Sequence, residues 1–574
     1  MQDIIFIGKI VSFFLKSLLG LFSLFLLSEI SFASENCNII QKDFTKGAVS
    51  MYGQPQPEKT LSLINTMQGG VLRFGQTLAF ESVNPFIAAS TAPFVLKDYL
   101  YDSMMYRSPA EPFTLYPQIV SVYDMDEARK FVTFKVEEGT KFDDGSDVTA
   151  KDIQFTFDLL KEKGRYNYRI AYKHVTAKIL SDDKIRFNIH NNNRELPLLL
   201  GLMPVLSHKN NRDDFGNPLA LAPIGAGAYK IKEKAIGKNI TLIRNEDYYG
   251  RDRPISCLRF HFDRVKIDFF KNEQASFENF KAGESDFFYE NALTRLNRAY
   301  SFPAFEKGDV QYHNLATGRP SGLYGFVFNT RRRPWDDLIL RRVISDIFAF
   351  DTLNKHYLYD TEKQIDSVFM GSDLAYNAGH KKKKNHQIRR DILTSSFKKL
   401  KEAGYHIHKG NLISPDGKEV VLDILLSNPR HEKYALLLRW MLRDIGIKAN
   451  VQSSDDALYQ KRVRNYDYDM VIDHRYVSLS PGTEQRNFWG CAGRETEGTR
   501  NYAGICDENI EQALDRLDKA RSYEALKLAV HQIDQMIMQG HYYIPLEAKQ
   551  HYHIFTDKNI VPSSYGEKYF FRRK

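Results

Sequence analysis

The stretch KFDDGSDVTAKDIQFTF at 141–157 carries Asp143, Asp144, Asp147 and Asp152, four carboxylates crowded into one short segment. A calcium loop would alternate its ligands and close with a bidentate Glu at the twelfth position. Counting from Asp143, that position is Gln154. A catalytic carboxylate pair would want a nucleophile or a His nearby, and the stretch supplies neither. Structural chemistry accounts for more of it. Asp143-Asp144-Gly145 is turn composition, placed after the alternating run Phe131 to Val136, which reads as a half-buried strand. Thr149 precedes an amphipathic run with Asp152 three residues on, a capping-box start with Asp in place of Glu or Gln. These aspartates are expected to shape the chain.

Outward from this strand–turn–helix unit, the order of elements is mixed. On the N-terminal side, Val71 to Thr77 reads as a strand, Asn84-Pro85-Phe86 as a turn and the region from Lys97 to Tyr106 as a helix. On the C-terminal side come the glycine-marked approach PIGAGAYKI at 223–231, strands at 240–244 and 260–269, and a helix from Asn272 to Lys281. A second half restarts the pattern. Strands are expected at 325–329, 420–426, 447–451 and 469–473, and helices at 338–348, 395–403, 432–445, 510–518 and 523–538. Single helices between strands, without a recurring period, imply α/β lobes with mixed sheets. With 574 residues, 43% of them hydrophobic, two or three packed lobes are expected.

The N-terminus carries a targeting signature. Lys9 and Lys16 precede the apolar run Leu18 to Leu27, and Ser31-Phe32-Ala33 is a small-x-small cleavage site. The apolar run is short for a membrane span, so 1–33 is expected to be a cleaved signal peptide, with Ser34 the first mature residue and the periplasm the destination. In that oxidising compartment, Cys37, Cys257, Cys491 and Cys506 lack any C-x-x-C spacing and suit disulfides. Cys491 and Cys506 bracket a Gly-rich loop, and theirs is the expected bridge; the pairing of Cys37 and Cys257 stays open.

Aromatics make up 13% of the chain, with 32 Tyr and 39 Phe, a composition that suits clefts gripping ligands by stacking and hydrogen bonding. The net charge of +9 is gathered in Arg331 to Arg333, Lys381 to Lys384 and Arg572-Arg573-Lys574, runs that read as solvated surface rather than a nucleic-acid footprint. Sixteen His show no metal spacing, and neither a metal site nor a cofactor is expected.

Several stretches in shared order resemble the peptide-binding class of extracellular solute-binding proteins, family 5, the receptors of oligopeptide and dipeptide ABC importers. They are FDDGSDVTAKDIQFTF at 142–157, PIGAGAYKI at 223–231, RNEDYYG at 244–250, FKAGESDF at 280–287 and FVFNTRRRPWDDLILRRVI at 326–344. EPFTLYPQI at 111–119, RELPLLLGLMPVL at 194–206 and SLSPGTEQRNFWG at 478–490 resemble its YejA-type branch. The resemblance implies a type II periplasmic binding protein: two lobes flanking a hinge and a ligand cleft. Lobe one would comprise 34–84, 207–305 and 540–574 with 85–206 as an inserted subdomain, and lobe two 306–539.

By that resemblance the cleft holds a peptide or peptide conjugate and the loaded receptor, a monomer, docks on the transmembrane subunits of a permease. Asn84 and Phe86 lie on a loop that in relatives reaches the cleft, though an ordinary turn explains them equally. Glu111, Asp473 and Glu484 are candidate partners for a peptide amine, and Arg475 and Arg486 for a carboxylate. Trp489 offers an apolar face or core packing. Asn501 and Tyr502 follow the Gly-rich loop and complete the candidate set. Relatives outside the branch place an Asp-Tyr pattern where this chain has Asp473-His474-Arg475. The competing class, an exported peptide- or glycan-processing enzyme, would need a motif such as H-E-x-x-H or G-x-S-x-G, and neither occurs. A structural or adhesive surface protein is the third class.

Overall fold

The computed structural model describes residues 47–573 apart from 54, 56–68, 78–79, 88–91, 94, 109–110, 192, 211, 218–220, 252, 254–258, 377–388, 498 and 563–570. The leader, Cys37, Cys257 and the Lys381 to Lys384 run fall outside the described residues.

The opening stretch folds as turn and cap chemistry dictates. Gly145 takes φ 81°, the left-handed conformation that the turn requires, and Asp144 accepts from the Ser146 amide at 2.9 Å. Asp152 accepts from the Thr149 amide at 2.9 Å at the start of helix Ala150–Lys163. Its other oxygen takes the His208 amide at 2.8 Å, tying the helix to the segment that leaves the subdomain. This helix covers an antiparallel sheet ordered Val120–Met125, Phe131–Val136, Lys184–Ile189, Val175–Ser181. Its buried Ile153, Phe157 and Leu160 recur at helical spacing and face that sheet.

Lobe one is built on a seven-stranded mixed sheet. Its order is Val310–Ala316, His551–Asp557, Phe287–Glu290, Val71–Gln76, Arg264–Phe269, Asn239–Arg244, Tyr229–Ala235. Val71–Gln76 lies parallel to two neighbours and the outer pairs are antiparallel. Lobe two is built on a five-stranded sheet ordered Lys448–Ser453, Val421–Leu426, Met470–Arg475, Leu323–Phe328, Tyr543–Pro545. Two large cores follow this division: one runs from Leu323 to Ala548, and the other collects residues before Phe287 with Ile554, Ile560 and Phe571. Glycine permits one tight joint: a Cβ on Gly227 would lie 2.2 Å from the Leu100 carbonyl carbon.

Two expectations change here. Helix Val95–Leu100 ends early because Met105–Arg107 pairs with Thr114–Pro117 as a strand. The chain changes lobes after residue 316 and after residue 545, not at 306 and 540. Val310–Ala316 pairs along its whole length with His551–Asp557 in lobe one, while Tyr543–Pro545 edges the sheet of lobe two. The two connections run side by side, with Ala316 opposite His551 and the Thr317 amide donating to the Gln550 carbonyl at 2.8 Å. That paired crossing is the hinge.

Candidate functional site

Between the lobes, with the hinge as its floor, lies a cavity of about 1210 Å³. Lobe one contributes Arg259, Glu290 and Tyr312, lobe two Tyr324, Tyr434 and His474, and the second hinge segment Glu547 to His553. The wall of lobe two is a ladder of rings centred on Tyr324: His474 at 5.4 Å, His431 at 5.9 Å and Tyr434 at 6.3 Å, with Tyr476 tilted against His474 at 3.9 Å. Burial, reinforced by the Lys549 charge, pushes both His431 and His474 down to about 4. Both imidazoles are therefore neutral at ordinary pH, able to donate and accept but not to repel a cation.

Glu547 on the cavity wall has unspent hydrogen-bonding capacity among the described residues. Glu547 is 6% exposed, and its Oε1 accepts from the Tyr434 hydroxyl at 2.8 Å. Its Oε2 is buried and, among the described residues, has no hydrogen-bond partner. Glu362 sits in the same wall, pushed up to about 7 by burial and then by the Glu547 charge. Glu290, by contrast, is committed to Arg295 at 2.6 Å and to the Tyr300 hydroxyl at 2.8 Å.

None of the residues singled out in the sequence lines this cavity. Asp473 and Arg475 share one face of strand Met470–Arg475 and His474 the other, because side chains alternate across a sheet. His474 faces the cavity, while Asp473 turns away and pairs with Arg475 at 2.9 Å. Arg475 is fully buried, its guanidinium 4.5 Å from the Phe488 ring centroid and 5.1 Å from that of Tyr502. Trp489 is core, its indole donating to Gln485 at 2.8 Å. Arg486 fans onto Asp518, Glu511 and Asp515 of helix Glu508–Lys519. Asn84 makes a turn with the Phe86 amide at 3.1 Å, and Phe86 packs edge-on to Tyr101. Glu111 is buried and accepts from Tyr116.

Asn501 braces the loop closed by the Cys491–Cys506 disulfide, donating to the carbonyls of Gly490 at 3.0 Å and Ile505 at 2.7 Å. The bridge spans a sequence separation of 15, and a loop of that size is worth about 3 kcal/mol in the chain-entropy account. Denaturant titration of the Cys491→Ser, Cys506→Ser double variant should show a loss of that order. An unchanged midpoint would mean the loop is held by Asn501 and its neighbours alone.

Glu484 belongs to a second meeting place of the lobes. Arg107 donates to the Ser480 hydroxyl at 3.2 Å and Arg194 to the Leu517 carbonyl at 3.2 Å, while Phe113 and Tyr523 meet at 5.7 Å. Glu195 projects from the inserted subdomain so close to Gly482 that a Cβ there would lie 1.6 Å from its Oε2. Glu484 accepts from the Gly482 amide at 3.0 Å, which brings the two carboxyls together. Burial, then the Glu484 charge, hold Glu195 well above the carboxylate range, against the opposing pull of Arg194 and Arg107. A raised carboxyl pKa means that the folded protein binds this proton more tightly than the unfolded chain. The pair therefore costs nothing below about pH 4, and progressively more as pH climbs through the raised value. Glu195→Gln should stabilise the protein by about 1–3 kcal/mol at pH 8, the scale of an unsatisfied buried polar group, and should change nothing near pH 4. Thermal melts at the two pH values check this; the same shift at both would remove the electrostatic account.

Residues 114–495 match the profile of the bacterial extracellular solute-binding proteins, family 5. The chain belongs to this family. It is 33% identical over 550 residues to the peptidoglycan-binding protein YepA of Agrobacterium fabrum, covering 87% of this chain and 89% of that protein. It is 28% identical over 518 residues to a second protein of that organism, named "Probable peptide-binding protein YejA", covering 83% of this chain and 84% of that protein. Among solved structures, NikA of Brucella suis, in complex with Fe(III)-EDTA, superposes with a TM-score of 0.71 at 17% identity, over 88% of this chain and 100% of that one. The fold is that of the two-lobed type II periplasmic binding proteins.

The residues that line the cavity were missed in the sequence for an identifiable reason. LEAKQHYH at 546–553 alternates acid, base and ring residues directly after a short apolar strand. That pattern was the available signal, and it has no motif.

Proposed function

We propose that this family 5 protein is the exported receptor of an ABC importer, that it binds peptides or peptide-like compounds in the interlobe cavity, and that it delivers them to a membrane permease. The observation that carries the reading is Glu547, a buried carboxylate on the cavity wall with one oxygen unpartnered. A ligand ammonium would donate to that oxygen while Tyr434 holds the other. At about 1210 Å³ the cavity exceeds the usual 300–1,000 Å³ of small-molecule sites, leaving room for more than a single amino acid. The ring ladder offers broad apolar contact with little demand on side-chain identity, as a receptor for varied peptides requires. The names of the two Agrobacterium relatives point to the same ligand class.

Native mass spectrometry of freshly purified protein tests the reading. The expected result is a co-purified peptide-like mass that acid releases intact. A defined peptide mixture should likewise be retained uncut, with a fall in radius of gyration in small-angle scattering as the hinge closes. Cleavage of the mixture would favour an enzyme, and retention of nothing would sink the receptor.

A further inference from the structure

The inserted subdomain has a rim that its core does not use. After helix Ala150–Lys163 the chain forms helix Tyr166–Ala171, in which no residue is buried, and returns as Val175–Ser181, the outermost strand of the four-stranded sheet. Tyr166 and Ile170, about one helical turn apart and so on one face, are 67% and 45% exposed. Ile179 and Leu180 are 39% and 45% exposed. From Lys178 to Ser181 every residue is exposed, so both faces of the edge strand meet solvent there.

The charge of this rim has one sign. From Lys163 to Ser181 there is no acidic residue, against Lys163, Arg165, Arg169, Lys173 and Lys178. Two of these serve the fold: Lys163 donates to the Arg212 carbonyl at 2.9 Å and Arg165 to that of Pro85 at 2.8 Å. Arg169, Lys173 and Lys178 are exposed, and among the described residues their side chains have neither a hydrogen bond nor an ion pair. The bordering carboxylates answer to other cations. Glu162 pairs with Arg212, Asp158 is faced by Arg212 and Lys161, and Asp183, in the turn that Asp182 opens beyond the strand, is faced by Lys184 and Lys135. A lysine on an edge strand commonly guards it against pairing with another chain. That accounts for Lys178, but not for Ile179 and Leu180 left in water beside it.

We propose that this rim docks peripherally on an anionic lipid bilayer, with Arg169, Lys173 and Lys178 at the headgroups and Tyr166, Ile170, Ile179 and Leu180 at the boundary of the acyl region. Exposed apolar side chains flanked by uncompensated cations are the chemistry of interfacial segments. A protein partner fits less well, because the centres of protein interfaces are depleted in lysine. No helix among the described residues is long and apolar enough to cross a membrane, and the contact is one of surfaces. None of the rim residues lines the interlobe cavity, so the proposal goes beyond ligand binding and stands apart from it. Its effect is to hold the protein at the membrane while the cavity stays open to solute.

The test uses the chain from Ser34 onward, sedimented with vesicles of phosphatidylglycerol mixed with phosphatidylcholine or of phosphatidylcholine alone. The wild type is expected to bind the anionic vesicles and to be released by added salt, which screens the charges. The Arg169→Gln, Lys173→Gln, Lys178→Gln triple variant should bind them about 100-fold more weakly, at about 5-fold for each cation near an anionic surface. Tyr166→Ser with Ile170→Ser should weaken binding several-fold through lost apolar contact. Since all these side chains are exposed, melting temperatures and peptide retention should match the wild type. Lys401→Gln, Lys409→Gln, Arg464→Gln, which removes three exposed cations of lobe two, should bind vesicles as the wild type does. No preference of the wild type for anionic vesicles, an undiminished affinity in the rim variant, or an equal loss in the lobe-two variant overturns the proposal. So does capture by native membranes but not by pure lipid, which would assign the rim to a protein partner. None of these outcomes depends on the receptor reading.

Discussion

Glu547→Gln is expected to weaken the binding of every amine-bearing ligand by about 30- to 5000-fold, the effect of removing one partner of a buried charge pair. The change is nearly isosteric and leaves an oxygen for Tyr434, so the wall should keep its shape. What disappears is the negative charge opposite the ammonium. An amide nitrogen would then face the cation, which adds repulsion to the lost attraction. Titration calorimetry with several unrelated peptides checks the claim, because an anchor for a shared group must cost all of them alike. If Glu547→Gln spares some peptides, the ammonium lies elsewhere. Proton linkage supplies a second reading of the same experiment. Glu362, pushed up to about 7 by burial and by Glu547, is partly protonated at neutral pH. An arriving ammonium favours its ionised form, so affinity should fall as pH drops below 7 and level off above it. A flat profile between pH 5 and pH 8 would detach Glu362 from the site.

Arg475→Met is expected to destabilise the fold by about 3–5 kcal/mol, the cost of stranding one member of a buried ion pair. Arg475 is fully buried, bonded to Asp473 at 2.9 Å and to the Arg500 carbonyl at 2.6 Å, and enclosed by the rings of Phe488, Trp489 and Tyr502. Methionine fills part of the space but leaves Asp473 charged and unpaired against an apolar wall. Asp473→Asn on the same background should therefore recover part of the loss, since the two residues act as a unit. Chemical denaturation of the single and double variants separates these terms. Additive losses would show that the pair is not coupled. Affinity measured on Asp473→Asn alone distinguishes its two readings: an anchor would lose binding for every peptide, whereas a partner of Arg475 loses stability and keeps affinity.

Asp473 and His474 show what sequence cannot read about a strand, namely which of two neighbours faces a cavity. A buried strand at 469–473 was legible from its apolar run, and the structure places it at Met470–Arg475. Which of two successive residues faces the cleft depends on which face of the sheet lies against helices, and that is set by partners outside the local sequence, such as the neighbouring strands Leu323–Phe328 and Val421–Leu426. Arg486 makes the same point. Its carboxylate partners lie on a helix some 25–32 residues downstream, and nothing local announces them.

Short-range chemistry determined much of this protein from its sequence. The Asp143 to Asp152 turn and cap, the α/β order of elements and the Cys491–Cys506 bridge each depend on groups within about one turn or one loop of each other, so that spacing and residue type suffice. Only the tertiary structure decided where the chain crosses between lobes, because a strand belongs to the sheet whose edge it completes: Val310–Ala316 is claimed by His551–Asp557 and Tyr543–Pro545 by Leu323–Phe328. It also decided which residues line the interlobe cavity. Glu547, Glu362, Tyr434 and Tyr324 come from four separate segments, and the free valence of one buried carboxylate oxygen exists only once burial has removed water and the neighbouring donors have been assigned elsewhere.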